Sequence, residues 1–130
     1  MIAATFGVVM IHHATIEFPS GREDEARHFY GDILGLREVS IPVSLSEHER
    51  GGVWYEASPD GSQQVHLGPV RAFRPQERGH IALFIHHLDA LREKFLQAGV
   101  RIRPAVPEPG WNRFYAFDPF GNRLEFRAQE

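Results

Sequence analysis

Cysteine is absent from this 130-residue chain, which excludes disulfide frameworks, thiolate metal sites and cysteine nucleophiles together. Any metal must therefore be held by imidazole and carboxylate. No apolar run approaches the length of a membrane span. The apolar opening, residues 1–10, lacks both a basic leader region and a small-residue cleavage site, so a cytoplasmic protein with no membrane partner is expected. An excess of basic charge is missing as well. Fourteen Lys and Arg stand against 17 Asp and Glu, a formal charge of -3, and they are scattered, so no basic stripe is offered to nucleic acid. What the chain does have is a hydrophobic content of 42%, enough for one core without metal or disulfide stapling, and eight histidines, well above ordinary usage.

Residues 8–18 are rich in β-branched and apolar side chains and predict a strand that Pro19 ends. Ser20 and Glu23 have the spacing of a capping box. Ala26, Phe29, Tyr30, Ile33 and Leu34 then fall on one face of a helix, with Gly35 at its C′ position. Three short extended runs follow, residues 36–43, 52–55 and 63–67. Residues 71–79, with Pro75 and several charges, read as an exposed connector. After it the order repeats: a strand over residues 80–85, a helix with the stripe Leu88, Leu91, Phe95 and Leu96 that ends at Gly99, and strands over residues 100–104, 113–117 and 123–127.

The duplication extends to residues. Tyr55, Pro59 and Gly61 recur 60 positions later as Tyr115, Pro119 and Gly121. The expected fold is one α+β domain over residues 1–130, made of two tandem βαβββ modules, residues 8–70 and 79–128, that form a cupped mixed sheet.

Strand parity decides which side chains share a surface. Ala14, Ile16 and Phe18 should pack on a helix, which turns His13 and Thr15 the other way. By the same count Val65 and Leu67 leave Gln64 and His66 outward, Ile81 and Leu83 leave His80 and Ala82, and Leu124 and Phe126 leave Arg123, Glu125 and Arg127. His13, His66, His80 and Glu125 thus occupy equivalent places in the two modules, on the faces turned away from the helices. If those faces meet, the four form a competent site for zinc, nickel, iron, manganese or cobalt at ligand distances of about 2.0–2.2 Å.

These residues carry a family resemblance. Ile11-His12-His13-Ala14 with His28-Phe29-Tyr30-Gly31-Asp32-Ile33-Leu34-Gly35-Leu36 resembles the first half of the vicinal oxygen chelate superfamily, the glyoxalase, extradiol dioxygenase and bleomycin-resistance relatives. Gly79-His80-Ile81-Ala82 and Asp118-Pro119-Phe120-Gly121-Asn122-Arg123-Leu124-Glu125 resemble the second. The resemblance implies a divalent metal held by His13, His80 and Glu125, with His66 as a further ligand or an acid-base group. It also implies a small-molecule substrate with vicinal oxygens. The site pairs a first module with a second, within one chain or across two, and a homodimer is expected because it is the commonest arrangement of soluble oligomers.

The activity so implied is that of a glyoxalase-like lyase or isomerase working through an enediolate-type intermediate, with Glu125 or His66 moving the proton. Two alternatives stand beside it. One is an iron(II) extradiol dioxygenase with Tyr115 as a substrate-side donor, although Val106, Pro107 and Glu108 stand where that pattern has a histidine. The other is a metal-free binding protein of bleomycin-resistance type. A fosfomycin-type thiol transferase ranks last, for want of an added basic loop. The loops over residues 44–51 and 105–112 are expected to frame the pocket.

Overall fold

In the computed structural model, which describes residues 6–130, alternation of apolar side chains builds two four-stranded sheets with the same connectivity. The first half contributes β1 (His13–Pro19), helix α1, β2 (Glu38–Val39), β3 (Val53–Glu56) and β4 (Gln64–Val70). The second contributes β5 (Ile81–Phe84), α2 (Leu88–Gln97), β6 (Ile102–Pro104), β7 (Trp111–Phe117) and β8 (Arg123–Gln129). Helix α1 begins as an α-helical turn, Glu23–Ala26, and continues as π-helix over Arg27–Ile33. The sheet orders are β1-β4-β3-β2 and β5-β8-β7-β6, with β1 parallel to β4, β5 parallel to β8 and the remaining pairs antiparallel. Each half is thus βαβββ, the α+β architecture read from the sequence.

Two local expectations are corrected. The first strand starts at His13 and not at residue 8, because the ladder begins where His13 meets Gln64 and no ladder pair among the described residues extends it to the preceding ones. Phe6, Val8, Val9 and Ile11 are accordingly exposed. Apolar composition alone does not make a strand where no neighbour completes the hydrogen bonds. The Ser20–Glu23 capping box does not form either. Arg22 occupies the N-cap without a side-chain cap, and Glu23 Oε1 instead accepts the Gly21 N–H at 3.1 Å. The acidic first turn, Glu23, Asp24 and Glu25, favours the helix through its dipole. At the other end the Leu34 N–H donates to Phe29 O at 2.8 Å, five residues back, and Gly35 leaves the helix at a φ of 83°.

One core spans both halves. Phe18, Val53, Tyr55, Val65 and Leu67 from the first sheet join Phe114, Ala116, Leu124 and Phe126 from the second, with Phe29 and Tyr30 of α1 and Phe95 of α2 between them. Phe29 stacks on Phe95 with ring centroids 5.8 Å apart, and Phe95 meets Phe126 edge-on at 5.2 Å. Burying such rings contributes most of the stabilisation. The π-helical turn matters here, since Phe29 and Tyr30 are adjacent in sequence and both are fully buried.

The halves are also latched by polar groups. Asp118, buried at the turn after β7, accepts the Tyr30 hydroxyl on Oδ2 at 2.7 Å and the Asn122 side-chain amide on the same oxygen at 2.8 Å. Its Oδ1 accepts the backbone N–H of Phe120 and of Asn122, each at 2.9 Å. Asn122 Nδ2 also donates to Glu17 O of β1 at 2.8 Å. Burial holds the Asp118 carboxyl above the usual carboxylate range, opposed by these hydrogen bonds. The Asp-Pro-x-Gly-Asn run of the sequence is therefore a tether between the halves, and Gly121, at a φ of 92°, permits its turn.

The repeat has a slip in it. Trp54 lies opposite His66 in the first sheet, and Tyr115 lies opposite Glu125 in the second. Trp54, not Tyr55, is therefore the structural counterpart of Tyr115. Tyr55 points into the core. The 60-residue spacing aligns the turns, but each adjoining strand is displaced by one residue, and a one-residue displacement turns a side chain to the opposite face.

Candidate active site

Strand parity sets the polar groups as the sequence predicts, on the faces away from the core. His13 opens β1 beside the start of β4, and Thr15 lies opposite His66. In the second half Ala82 lies opposite Glu125, and His80 stands two residues before Ala82 as His13 stands two before Thr15. The four candidate ligands therefore hold matching register positions in the two sheets.

The first pair is His13 and His66. Their rings stack 4.1 Å apart, and the other face of the His66 ring lies flat on the Trp54 indole at 3.7 Å. So sandwiched, His66 is only 6% exposed. Burial first, then the nearby His13 and His12, pushes its pKa down to about 4, so the imidazole is neutral near pH 7. Nε2 of His66 lies 2.7 Å from Gln64 Oε1, which can only accept, so Nε2 carries the proton and Nδ1 keeps a lone pair. His13 Nδ1 approaches His12 Nδ1 at 2.8 Å. A neutral, oriented imidazole is what a cation requires.

The second pair is His80 and Glu125. His80 Nδ1 is 2.8 Å from the Arg78 carbonyl and so is its protonated nitrogen, which leaves Nε2 facing Glu125 Oε1 at 3.1 Å. A ring N–H fixed on a backbone carbonyl, with the opposite nitrogen turned to a carboxylate, is the outer support a ligating histidine needs. Glu125 is 5% exposed. Its Oε2 accepts Arg127 Nη1 at 2.9 Å, and Oε1 lies 3.5 Å from Arg113 Nη1. Tyr115, across the ladder from Glu125, takes a hydrogen bond from Arg113 at 3.3 Å and meets the His80 ring edge-on at 5.4 Å.

Imidazoles and a carboxylate are donors of the kind a divalent metal accepts, and here they stand as two separate pairs. Among the described residues no three His, Asp or Glu side chains of the chain gather closely enough to hold one ion. The structure brings His13 to His66 and His80 to Glu125, and does not bring one pair to the other. A cleft of about 340 Å³ between β1 and the start of β5 and β8 is lined by Thr15, Glu17, His80, Asn122 and Arg123, and reaches only His80 of the four.

Sequence reading missed several neighbours. Trp54 under His66 was hidden by the slipped repeat, and Glu108, which pairs with Arg127, lies in a loop without periodicity. Arg103 of β6 stands opposite Tyr115, a position that strand parity could have found had β6 been extended in pairing to β7.

Two βαβββ halves with histidines and a glutamate at matching register positions define a class of proteins. Residues 10–126 match the model of the Glyoxalase/Bleomycin resistance protein/Dioxygenase superfamily, and the chain belongs to that superfamily. Among solved structures it is similar to a glyoxalase family protein from Bacillus anthracis, at 34% identity over 95% of this chain and 98% of that one, with a TM-score of 0.86. The fold is shared with lactoylglutathione lyase from Agrobacterium tumefaciens, at 20% identity over 93% and 94% of the two chains and a TM-score of 0.67. It is shared too with the fosfomycin resistance protein FosX from Listeria monocytogenes, at 16% identity over 95% and 96% and a TM-score of 0.72. No curated protein matches. No helix among the described residues is long and apolar enough to cross a membrane.

Proposed function

We propose that this protein is a divalent-metal-dependent lyase or isomerase of glyoxalase type, acting on a small substrate with two adjacent oxygens. The observation that carries the reading is the pair of matched half-sites, His13–His66 and His80–Glu125, with His66 and Glu125 at the same register position of their sheets. His13, His66, His80 and Glu125 would hold the metal, the two pairs being brought together by a second copy of the chain in a homodimer. Bound there, the metal supplies Lewis-acid polarisation of the substrate oxygens.

The chain's own groups supply the proton chemistry. Glu125, on leaving the metal, or His66, where it stands outside the ligand set, would take the proton from the carbon beside the polarised oxygen and return it at the neighbouring position. Tyr115 Oη, held by Arg113, orients the substrate on the same face. Trp54 shields His66 from water and keeps it uncharged.

The test is metal content after reconstitution with zinc, nickel, iron, manganese or cobalt. A fixed ratio of metal to chain, abolished by His80→Ala and by Glu125→Gln with the fold intact, supports the reading. Wild-type protein that retains no metal from any of the five sinks it and favours a metal-free binding protein. The two-histidine, one-carboxylate set with Tyr115 opposite Glu125 also suits an iron(II) ring-cleaving dioxygenase, for which catechol-dependent oxygen uptake by the iron form is the distinguishing result.

A further inference from the structure

The open face of β6, β7 and β8 is far more cationic than the chain as a whole. Arg103, Arg113, Arg123 and Arg127 share it with the carboxylates of Glu125 and, from the adjoining loop, Glu108, whereas the whole chain carries a formal charge of -3. Arg113 lies directly opposite Arg127 in the ladder. Like charges facing each other across a sheet are unfavourable, and here Glu125 and Glu108 are the carboxylates that offset the pair.

The guanidinium groups are also incompletely occupied. Arg127 donates to Glu125 and Glu108, and Arg113 donates to Val106 O at 2.6 Å and to the Tyr115 hydroxyl. The Nε–H groups of Arg113, Arg123 and Arg127 are nonetheless shielded from solvent and have no hydrogen-bond partner among the described residues. Buried donors are normally satisfied. Beside them lies an apolar wall. The Arg127 guanidinium sits 4.7 Å over the Trp111 ring, Trp111 stacks on Phe84 at 5.5 Å, and Phe84 is 74% exposed.

We infer that Arg113 and Arg127, backed by Tyr115 and walled by Trp111 and Phe84, form a subsite for the oxyanion of a small organic acid with a flat apolar body. The inference rests on the proposed function, in which Glu125 turns to the metal. Arg113 then loses the Glu125 carboxylate and Arg127 keeps only that of Glu108, and the substrate's own oxyanion takes the vacated place between them. Planar guanidinium forks suit a carboxylate or a phosphoryl group. Arg103 and Arg123, 5.5 and 4.8 Å from the Tyr115 ring, add to the field without meeting the ligand.

The experiment is equilibrium titration of wild-type protein reconstituted with zinc, using benzoate, phenylphosphonate and the neutral isostere benzamide, followed by NMR, with acetate to weigh the apolar wall. Benzoate or phenylphosphonate should bind at least tenfold more tightly than benzamide, and the tighter of the two identifies the oxyanion. Arg113→Gln and Arg127→Gln should each weaken that binding about tenfold while leaving the circular dichroism spectrum unchanged. Benzamide binding as well as either anion, or folded Arg→Gln variants binding like wild type, overturns the subsite. The wild-type comparison stands even if a variant fails to fold. Metal content is measured on the same samples, so loss of the metal reading is seen separately from loss of the anion reading.

Discussion

Two tyrosines adjacent in the core, Tyr30 and Tyr55, with ring centroids 6.2 Å apart and planes tilted by 31°, offer a direct test of the latch between the halves. Both are 1% exposed. The Tyr30 hydroxyl donates to Asp118, whereas the Tyr55 hydroxyl has no partner among the described residues. Tyr30→Phe removes a hydrogen bond to a buried carboxylate, a kind worth about 1.5–3 kcal/mol. Asp118 keeps three other donors, from Phe120 and Asn122, so it is not orphaned and the lower part of the range applies, about 1.5–2 kcal/mol. For a chain of 130 residues that lowers Tm by about 5–7 °C. Tyr55→Phe removes a buried hydroxyl that gains nothing from folding, so its Tm should stay within about 2 °C of wild type or rise. The assay is thermal unfolding of both variants by circular dichroism. A second readout is the Asp118 carboxyl, which should titrate still higher in Tyr30→Phe, because the lost hydrogen bond favoured its ionised form. Equal destabilisation by the two substitutions would refute the reasoning.

The core and the pH response give two further tests. Phe95→Ala empties the space between Phe29, Phe114 and Phe126 and should cost about 3–5 kcal/mol in urea unfolding, and a loss under about 1 kcal/mol would mean that the halves do not share one core. The depressed His66 pKa of about 4 lies below the ordinary 6.5, so between these values the unfolded chain binds a proton that the native protein refuses. Metal-free protein should therefore lose stability as pH falls from 6.5 toward 4, with no further loss from this group below 4. Screening through the His13 side reduces the effect to about 1–2 kcal/mol. His66→Gln should abolish that component. Denaturant midpoints that fall as steeply in the variant as in wild type over this range would count against a buried neutral imidazole.

Much of the site was legible because strand parity is local. Ala14, Ile16 and Phe18, or Leu124 and Phe126, declare their buried face without knowledge of the partner strand, and His13 and Glu125 follow by alternation. The arginines flanking Glu125 were legible by the same count, but their opposition across β7 and β8 was not, since register depends on which strands meet. Trp54 shows the same limit. Its match to Tyr115 depends on a one-residue slip around a turn, which identical residues at constant spacing conceal.

The order of elements, the faces of the strands, the turns at Gly35, Gly61, Gly99 and Gly121 and the choice of candidate donor groups were set by the sequence alone, because propensity, periodicity and positive φ are properties of short segments. Tertiary structure decided where the first strand begins, that Asp118 and Asn122 fasten one half to the other, and that the four donors stand as two pairs. Those features arise from contacts between segments far apart in the chain. A local pattern selects the face a side chain takes, while only the packed fold selects the side chain it meets there.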